Sequence, residues 1–412
     1  MSAGGAILDG IRVIDCGTYI AGPAAATALS DFGAEVIKVE RPPHGDPYRY
    51  IGRVPGMPVS ETEFCWILDS RNKKSIALNV ADPAGRDVLL RLVATADVFV
   101  TNFQPQMIAR FRIGYEELRT VNERLIYAGV TGYGELGAEA EKPGYDITAY
   151  WARSGLMSQM HSGDAEPCLS VCGFGDHPTA MSMFGAILLG LYHRERTGRG
   201  LHVSTSLIAS GAWSNSCLIQ AQLCGAEFLK RRTRKHPQNP TVNHYHARDG
   251  QRFLLCLLDP HKEWERLGRA IERPELAGDP RFASPQARRA NSAELVAILD
   301  AEFERHDMAE WARRFEELDL VWSPVPNMDQ VGRDPQMRAN GVLVPIEDSD
   351  VLTVSSPITA HGVEKVPARG APGVGQHTRE VLVSLGYEEE AIRSLLDRGV
   401  ALAPPPDTEH SG

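Results

Sequence analysis

The chain is short of positive charge. Its 43 lysines and arginines face 53 acidic residues, a formal net charge of −10, and no segment gathers the cations into a face. That argues against general nucleic-acid binding. The densest basic run, Lys230-Arg231-Arg232-Thr233-Arg234-Lys235, is brief and adjoins a Pro/Asn stretch. It reads as a solvated loop or linker, or as a contact for nucleotide phosphates or a partner subunit. Long hydrophobic runs are also missing. The longest, around Met181 to Tyr192, carries two glycines and is too short to span a bilayer, so no membrane partner is expected. The first ten residues lack a basic region followed by an apolar core, so no secretory signal is evident. The seven cysteines (16, 65, 168, 172, 217, 224 and 256) are odd in number. Cys168 and Cys172 stand four apart, but no second Cys/His pair completes a metal site. Free thiols, a cytoplasmic location and no metal are the expectations.

A dinucleotide fingerprint is missing as well. The first strand–loop–helix–strand unit ends in Glu40, like half of a nicotinamide-binding domain. Its loop, however, reads Gly17-Thr18-Tyr19-Ile20-Ala21-Gly22-Pro23. Tyr and Ile occupy places where a Gly-x-Gly-x-x-Gly loop needs small residues so that backbone can approach a pyrophosphate. NAD-dependent redox chemistry is therefore disfavoured, although the helix start can receive some other anion.

What is present is a βαβα rhythm. Strands are expected at 11–15, 36–40, 97–102 and 126–130, and helices at 24–32, 84–95 and 115–125. Pro23 suits the first helical turn and Gly33 the left-handed position past its end. Such alternation implies a mostly parallel sheet covered by helices. Beyond residue 200 the rhythm changes: a strand entry and a long apolar helix reach Leu223, a Pro/Asn-rich junction spans 230–243, and an Arg/Glu-rich helical region spans 261–319. Trp322-Ser323-Pro324-Val325-Pro326 marks a second junction, and the Pro-rich tail from Pro404 reads as disordered.

Several segments, ordered along nearly the whole chain, carry a resemblance. They are Leu8-Asp9-Gly10-Ile11-Arg12-Val13-Ile14-Asp15, Ala21-Gly22-Pro23, Gly33-Ala34-Glu35-Val36-Ile37-Lys38-Val39-Glu40, Asn72-Lys73-Lys74-Ser75 and Asn102-Phe103. Gly173-Phe174-Gly175-Asp176, the His193 to Gly200 stretch, Gly375-Gln376-His377-Thr378 and Leu385-Gly386-Tyr387 complete the series. Together they resemble family III CoA transferases, which include formyl-CoA transferase and crotonobetainyl-CoA:carnitine CoA-transferase and are related to α-methylacyl-CoA racemase. The resemblance implies an α/β fold: a Rossmann-like large domain (1–207 and 346–403) with an inserted smaller domain (231–320), joined by linkers at 208–230 and 321–345, before the tail at 404–412. It further implies an open-ring chain that forms an interlocked homodimer.

The implied reaction moves CoA from an acyl-CoA thioester to an acceptor carboxylic acid, with coenzyme A as substrate and carrier rather than resident cofactor. Asp176 matches the family's nucleophile, which forms mixed-anhydride and aspartyl-CoA thioester intermediates. An Asp is ionised at neutral pH by default. Small neighbours such as Gly175 admit the thioester, and exposed backbone N–H groups are available to an oxyanion. From pattern alone, Asp176 reads first as the cap of a helix beginning near Pro178, and it is the resemblance that turns the reading to catalysis. Tyr145 stands where the racemase branch has a histidine, so it favours transfer over the alternative, α-proton transfer by a racemase or isomerase. Tyr145, Ile20, Gly175 and His177 are assigned to the substrate pocket. Asp146 reads as a partner of the site or a loop carboxylate. For CoA the match points to Arg41, Lys73, Lys74, Asn102 and Arg110 as phosphate and backbone contacts. The Arg194 to Gly200 stretch reads as a helix end and tight turn. Ile20 replaces a glutamine of formyl-CoA transferase, whose glycine-rich loop has no counterpart at 230–250, and Gln376 replaces the usual glutamate of the closing motif. A carboxylic acid pair other than formate and oxalate is therefore expected.

Overall fold

The computed structural model describes residues 6–230 and 232–405. Arg231 of the basic run and residues 406–412 of the tail lie outside that range. The chain divides into two compact units, one of residues 1–159, 169–225 and 337–412, the other of 160–168 and 226–336.

The first unit is built on a seven-stranded sheet. Its strands are β1 (Arg12–Asp15), β2 (Glu35–Glu40), β3 (Lys73–Leu78), β4 (Val98–Thr101), β5 (Ile126–Thr131) and β6 (Leu201–Ser206). A short strand near the C-terminus, Ala401–Leu402, completes it by pairing antiparallel with β3. Across the sheet the order runs from that last strand through β3, β2, β1, β4 and β5 to β6, and β1 to β6 are all parallel. The chain first builds outward from β1 to β3, then returns to place β4 on the other side of β1. The loops leaving β1 and β4 therefore diverge, and that parting is where open parallel sheets present a crevice at their C-terminal ends.

Alternation along the strands feeds two cores, as expected of a sheet buried on both faces. Val13, Val36, Val98 and Ile126 pack under the helices Ala21–Asp31 and Asp176–Thr197. Ile14, Ile37, Ile76 and Phe99 pack under Pro83–Ala94 and the C-terminal helices Thr378–Ser384 and Glu389–Asp397. The expected helix at 115–125 is cut short at Leu118, and turns carry the chain to β5. The apolar segment after β6 forms two helices, Leu207–Ser214 and Ser216–Leu223, broken at Asn215. Gly33 takes a φ of +97° just past the first helix, and Gly198 a φ of +74° at the end of Asp176–Thr197, where the sequence placed these turns.

The closing Gly375-Gln376-His377-Thr378 motif ties the C-terminal segment to β3. Ser75 N–H donates to His377 Nδ1 at 3.2 Å, Ala77 N–H donates to Thr378 Oγ1 at 3.1 Å, and Gly375 N–H donates to Ser75 Oγ at 2.9 Å. The glutamine keeps this clamp closed, its Oε1 accepting the Gly373 N–H at 2.8 Å.

The second unit holds a three-stranded antiparallel sheet of Val242–His246, Arg252–Cys256 and Trp322–Pro324. The Arg/Glu-rich region becomes several helices, among them Lys262–Ala270, Ser292–Phe303 and Met308–Glu317, around an aromatic core of Tyr245, Phe253, Phe303, Trp311 and Phe315. Within this unit the basic run is partly neutralised: Lys230 pairs with Asp164 at 2.8 Å and Arg234 with Asp300.

Candidate functional site

Asp176 is the first residue of the 22-residue helix Asp176–Thr197; the cap is Gly175, and no side chain caps it. The capping alternative for Asp176 therefore fails. Its half-buried carboxylate meets no hydrogen-bond or ion-pair partner among the described residues, and it faces a cavity at the partially positive end of the helix. Two glycines make this placement possible. Gly173 has a φ of +75°, and a Cβ on Gly175 would sit 2.5 Å from the Tyr150 ring.

The loop's N–H groups are less free than the sequence suggested. Phe174 N–H donates to Val171 O at 3.2 Å, and His177 N–H donates to Gly173 O at 3.1 Å. Gly175 N–H donates to Asp146 Oδ2 at 3.3 Å. Asp146 thus lies against the site, at the start of a π-helical turn spanning Asp146–Ala152.

Burial raises the Asp176 carboxyl, the nearby charge of Asp146 raises it further, and His177 opposes both, leaving the group at about 7. The assumption of full ionisation at neutral pH is thereby corrected. His177 behaves inversely: burial works against its charged form, but a hydrogen bond and the charge of Asp69 prevail and lift it to about 9. His177 Nε2 lies 3.2 Å from Asp69 Oδ1, and its Nδ1 lies 3.0 Å from Gly173 O. Asp69, only 3% exposed, also accepts the Tyr48 hydroxyl at 2.7 Å.

Two adjoining cavities lie along the C-terminal ends of β1, β2 and β4. The inner one, about 490 Å³, is lined by Asp176, Asp146, Tyr145, Tyr19, Ile20 and Phe103, among others. Tyr145 stands at its rim, edge-on to Tyr19 with ring centroids 6.0 Å apart. The outer one, about 700 Å³, shares Thr18, Phe103 and Met107 with it and is lined by Arg41, His44 and Arg110. Arg41 and Arg110 are exposed there, and neither is paired with a carboxylate among the described residues.

The other expected CoA contacts behave differently. Lys73 is buried away from any phosphate: its Nζ is bonded at 2.8 Å to both Asp15 Oδ2 and Pro23 O, and it lines neither cavity, contrary to the expected CoA contact. Lys74 points to the opposite face, pairs with Glu35 at 3.0 Å and Glu380 at 2.8 Å, and lines neither cavity. Asn102 lines the inner cavity, but both ends of its amide are spent on Thr18: Oδ1 accepts the Thr18 N–H at 2.8 Å and Nδ2 donates to Thr18 O at 2.7 Å.

That clamp belongs to a buried lattice that fixes the Gly17–Ile20 loop. Lys38 Nζ lies 2.8 Å from Asp46 Oδ2 and 3.6 Å from Asp15 Oδ1, and it donates to Gly17 O at 2.5 Å. Asp46 Oδ1 accepts the Tyr19 N–H at 3.1 Å, holding Tyr19 at a φ of +59°. Burial pushes the Asp15 carboxyl up, yet Lys38 and Lys73 together hold it below its ordinary value.

This arrangement can present one unpaired carboxylate to an electrophile in a largely apolar chamber beside a wider, cation-edged cleft. The profile of CoA-transferase family III matches residues 8–378. The chain belongs to CoA-transferase family III. Like the other members it is an enzyme that transfers CoA. It is 31% identical over 398 residues to a (R)-2-hydroxy-4-methylpentanoate CoA-transferase of Clostridioides difficile, covering 96% of this chain and 99% of that one. It is 33% identical to a human succinyl-CoA:glutarate CoA-transferase, covering 95% and 89%. Among solved structures it resembles a CaiB/BaiF family protein from Brucella suis, with a TM-score of 0.83 at 28% identity over 93% of this chain and 100% of that chain.

Within the CoA-transferase, Asp176, Gly175, His177, Tyr145 and Ile20 come together at the inner cavity or its wall, and Arg41 and Arg110 at the outer one. Sequence reasoning missed Asp69, Tyr48 and Asp46. Asp69 had one signal, a carboxylate directly after the apolar Phe64-Cys65-Trp66-Ile67-Leu68 run. Among the described residues there is no group of three His, Cys, Asp or Glu suited to a metal, no helix long and apolar enough to cross a membrane, and no disulfide.

Proposed function

We propose that the enzyme moves CoA from an acyl-CoA thioester to an acceptor carboxylic acid by covalent catalysis on Asp176. The observation that carries this reading is the carboxylate itself: half-buried, unbonded, at a helix start, facing a cavity that opens beside two free arginines. Arg41 and Arg110 hold the phosphates of CoA in the outer cleft, and its pantetheine arm enters past Thr18, Phe103 and Met107.

An Asp176 oxygen attacks the thioester carbonyl and the carbon–sulfur bond breaks, giving a mixed anhydride and CoA thiolate. The thiolate attacks the Asp176 carboxyl carbon and expels the donor acid, leaving an aspartyl-CoA thioester. The acceptor carboxylate then attacks that carbon, releasing thiolate and forming a second anhydride. Thiolate attack on the acceptor's acyl carbon returns the Asp176 carboxylate. No proton enters or leaves, so the site needs an ionised carboxylate rather than a general base. Water exclusion matters throughout, because both intermediates hydrolyse. The curated relatives are named for hydroxy acid and dicarboxylic acid substrates, and a carboxylic acid acceptor is the feature they share.

The same reading includes a cytoplasmic homodimer, of the interlocked form with an inserted small domain that the resemblance implies. Supporting the dimer, the helix Ser216–Leu223 buries none of its residues, and its Leu223, Trp213 just before it and Leu189 of the helix Asp176–Thr197 stand largely exposed. Sedimentation of the purified chain tests it: a dimer at micromolar concentration agrees, a monomer does not. For the chemistry, the chain is incubated with a panel of acyl-CoA thioesters, quenched with hydroxylamine and digested. A hydroxamate on the Asp176 peptide that is lost in Asp176→Asn is the expected result. No adduct with any thioester, despite CoA binding, refutes the covalent route.

A further inference from the structure

The residue after the nucleophile has an environment that the reaction above does not use. The His177 ring is held at both nitrogens: Nε2 faces Asp69 Oδ1 at 3.2 Å, and Nδ1 faces the Gly173 carbonyl at 3.0 Å. A carbonyl oxygen only accepts, and an ionised carboxylate only accepts. A neutral imidazole has one N–H and satisfies one of these contacts; an imidazolium satisfies both. Asp69 is kept in its accepting role, because Tyr48 donates its hydroxyl to Asp69 Oδ2 at 2.7 Å.

We propose that Asp69 and the Gly173 carbonyl hold His177 as an imidazolium beside Asp176, a positioning device that favours the ionised nucleophile and balances negative charge as CoA thiolate departs. This rests on the reading of Asp176 as the nucleophile. The titratable groups facing the pair are Asp69 and Cys65 from the helix Phe64–Ser70, Tyr48 from the turn Pro47–Arg53, Asp146 from the π-helical turn, and Cys172 from the preceding loop. Burial drives Tyr48 and Cys65 upward and Cys172 to about 11, so these three stay neutral around neutral pH. The charge-bearing groups around the site are then the carboxyls of Asp69, Asp146 and Asp176 and the His177 ring, with Lys73 acting on Asp69 and Lys142 among the lining of the inner cavity. Because His177 adjoins Asp176 in the chain, the nucleophile feels that cation more strongly than it feels Asp69.

The arrangement separates two jobs. Asp146 pushes the proton onto Asp176, and His177 pulls it off. Without the clamp, a half-buried histidine beside a carboxylate would titrate near neutrality and the cation would come and go with pH. With it, the cation persists well above the point at which Asp176 ionises, which leaves a window in which the nucleophile is charged and its counter-ion is present.

The test is the single-turnover rate of enzyme adduct formation from one acyl-CoA, followed by quench-flow and intact mass against pH. In the unaltered enzyme the rate rises through about 7 and falls through about 9. In His177→Gln the alkaline limb disappears and the acid limb moves up by about half a unit or more. In Asp69→Asn the alkaline limb moves down toward the ordinary histidine range. A uniform loss of rate in both variants, with both limbs where they were, overturns the inference while leaving the nucleophile intact. An unaltered enzyme that forms no adduct overturns the nucleophile reading and this inference with it. Nitrogen-15 spectra of the histidine-labelled full chain, assigned by the signal missing from His177→Gln, give a readout independent of turnover. Both ring nitrogens of His177 carry protons at neutral pH, and a neutral ring in that spectrum refutes the proposal.

Discussion

The carboxylate of Asp146 accepts the backbone N–H of Gly175 at 3.3 Å, one residue before Asp176, so a second carboxylate anchors the loop that presents Asp176. The contact fixes the loop and at the same time makes Asp176 harder to ionise. Asp146→Asn keeps an oxygen to accept the N–H and removes the charge. The acid limb of adduct formation is therefore expected to move down by about 0.5–1 pH unit. An upward move, or none, measured by the same pH profile, contradicts the electrostatic account of this pair.

Asp176 also links stability to pH. Its folded-state value of about 7 lies above its ordinary 3.8. A group raised on folding contributes stability that is fully present below its unfolded value and lost as pH rises through the folded one. Asp176→Asn has nothing to lose, so it should unfold at higher denaturant than the unaltered enzyme above pH 7. The difference is about 1–2 kcal/mol after allowing for the solvent that reaches a half-buried carboxylate, and it closes toward pH 4. Denaturant titrations at both ends of this range give the comparison.

Arg41 and Arg110 are expected to act on binding, not on bond-making. Each arginine-to-alanine change should raise KM for acyl-CoA about tenfold, roughly 1.4 kcal/mol, with kcat little changed. Dephospho-CoA thioesters identify which arginine meets the 3′-phosphate, since that variant loses its preference for the phosphorylated carrier. A fall in kcat with KM unchanged would place the arginines elsewhere in the mechanism.

Lys73→Met provides the opposite pattern. Removing the amine takes away one of the two cations that hold the buried Asp15 carboxylate, with Lys38 still 3.6 Å away, and a buried group left one partner short costs about 1–3 kcal/mol. Thermal unfolding should fall sharply. Any protein that stays folded should bind CoA with nearly unaltered affinity, because Lys73 lines neither the inner nor the outer cavity. A stable variant with weak CoA binding would restore the surface role that the sequence suggested.

Lys73 and Lys74 illustrate what was legible. Adjacent lysines read as two surface cations, but both belong to a strand, where neighbours point to opposite faces. One had to point into the sheet, and the sequence did not say that Asp15, fifty-eight positions earlier, would meet it. Strands β1, β2, β4 and β5 were readable because buried β-branched runs alternate with helix signals, as at Asp82 before Pro83–Ala94, whereas β3 and the helices Phe64–Ser70 and Pro105–Phe111 were not assigned from the sequence. The segment 115–125 misled because helix-forming residues there yield to turns that deliver the chain to β5. Asp176 was identifiable through the motif around it, and its surroundings were not. Asp69 lies 107 positions before Asp176 and Asp146 lies 30 before it, and only the fold makes them neighbours. Ionisation was misjudged for the same reason, since an aspartate's default holds until burial and a second carboxylate are counted.

The central claim, that Asp176 exchanges its own oxygen with the acids it serves, is tested most directly by isotope. The enzyme is given an acyl-CoA donor and an acceptor acid labelled at both carboxylate oxygens with oxygen-18, held to one turnover, then digested and weighed. The account predicts that the Asp176 peptide gains one heavy oxygen, because the acceptor's carboxylate bonds to the aspartyl carbon and leaves an oxygen behind when CoA departs with the new acyl group. Completed transfer with no label on Asp176 would mean that the acceptor attacked the thioester directly, and the covalent account would be wrong.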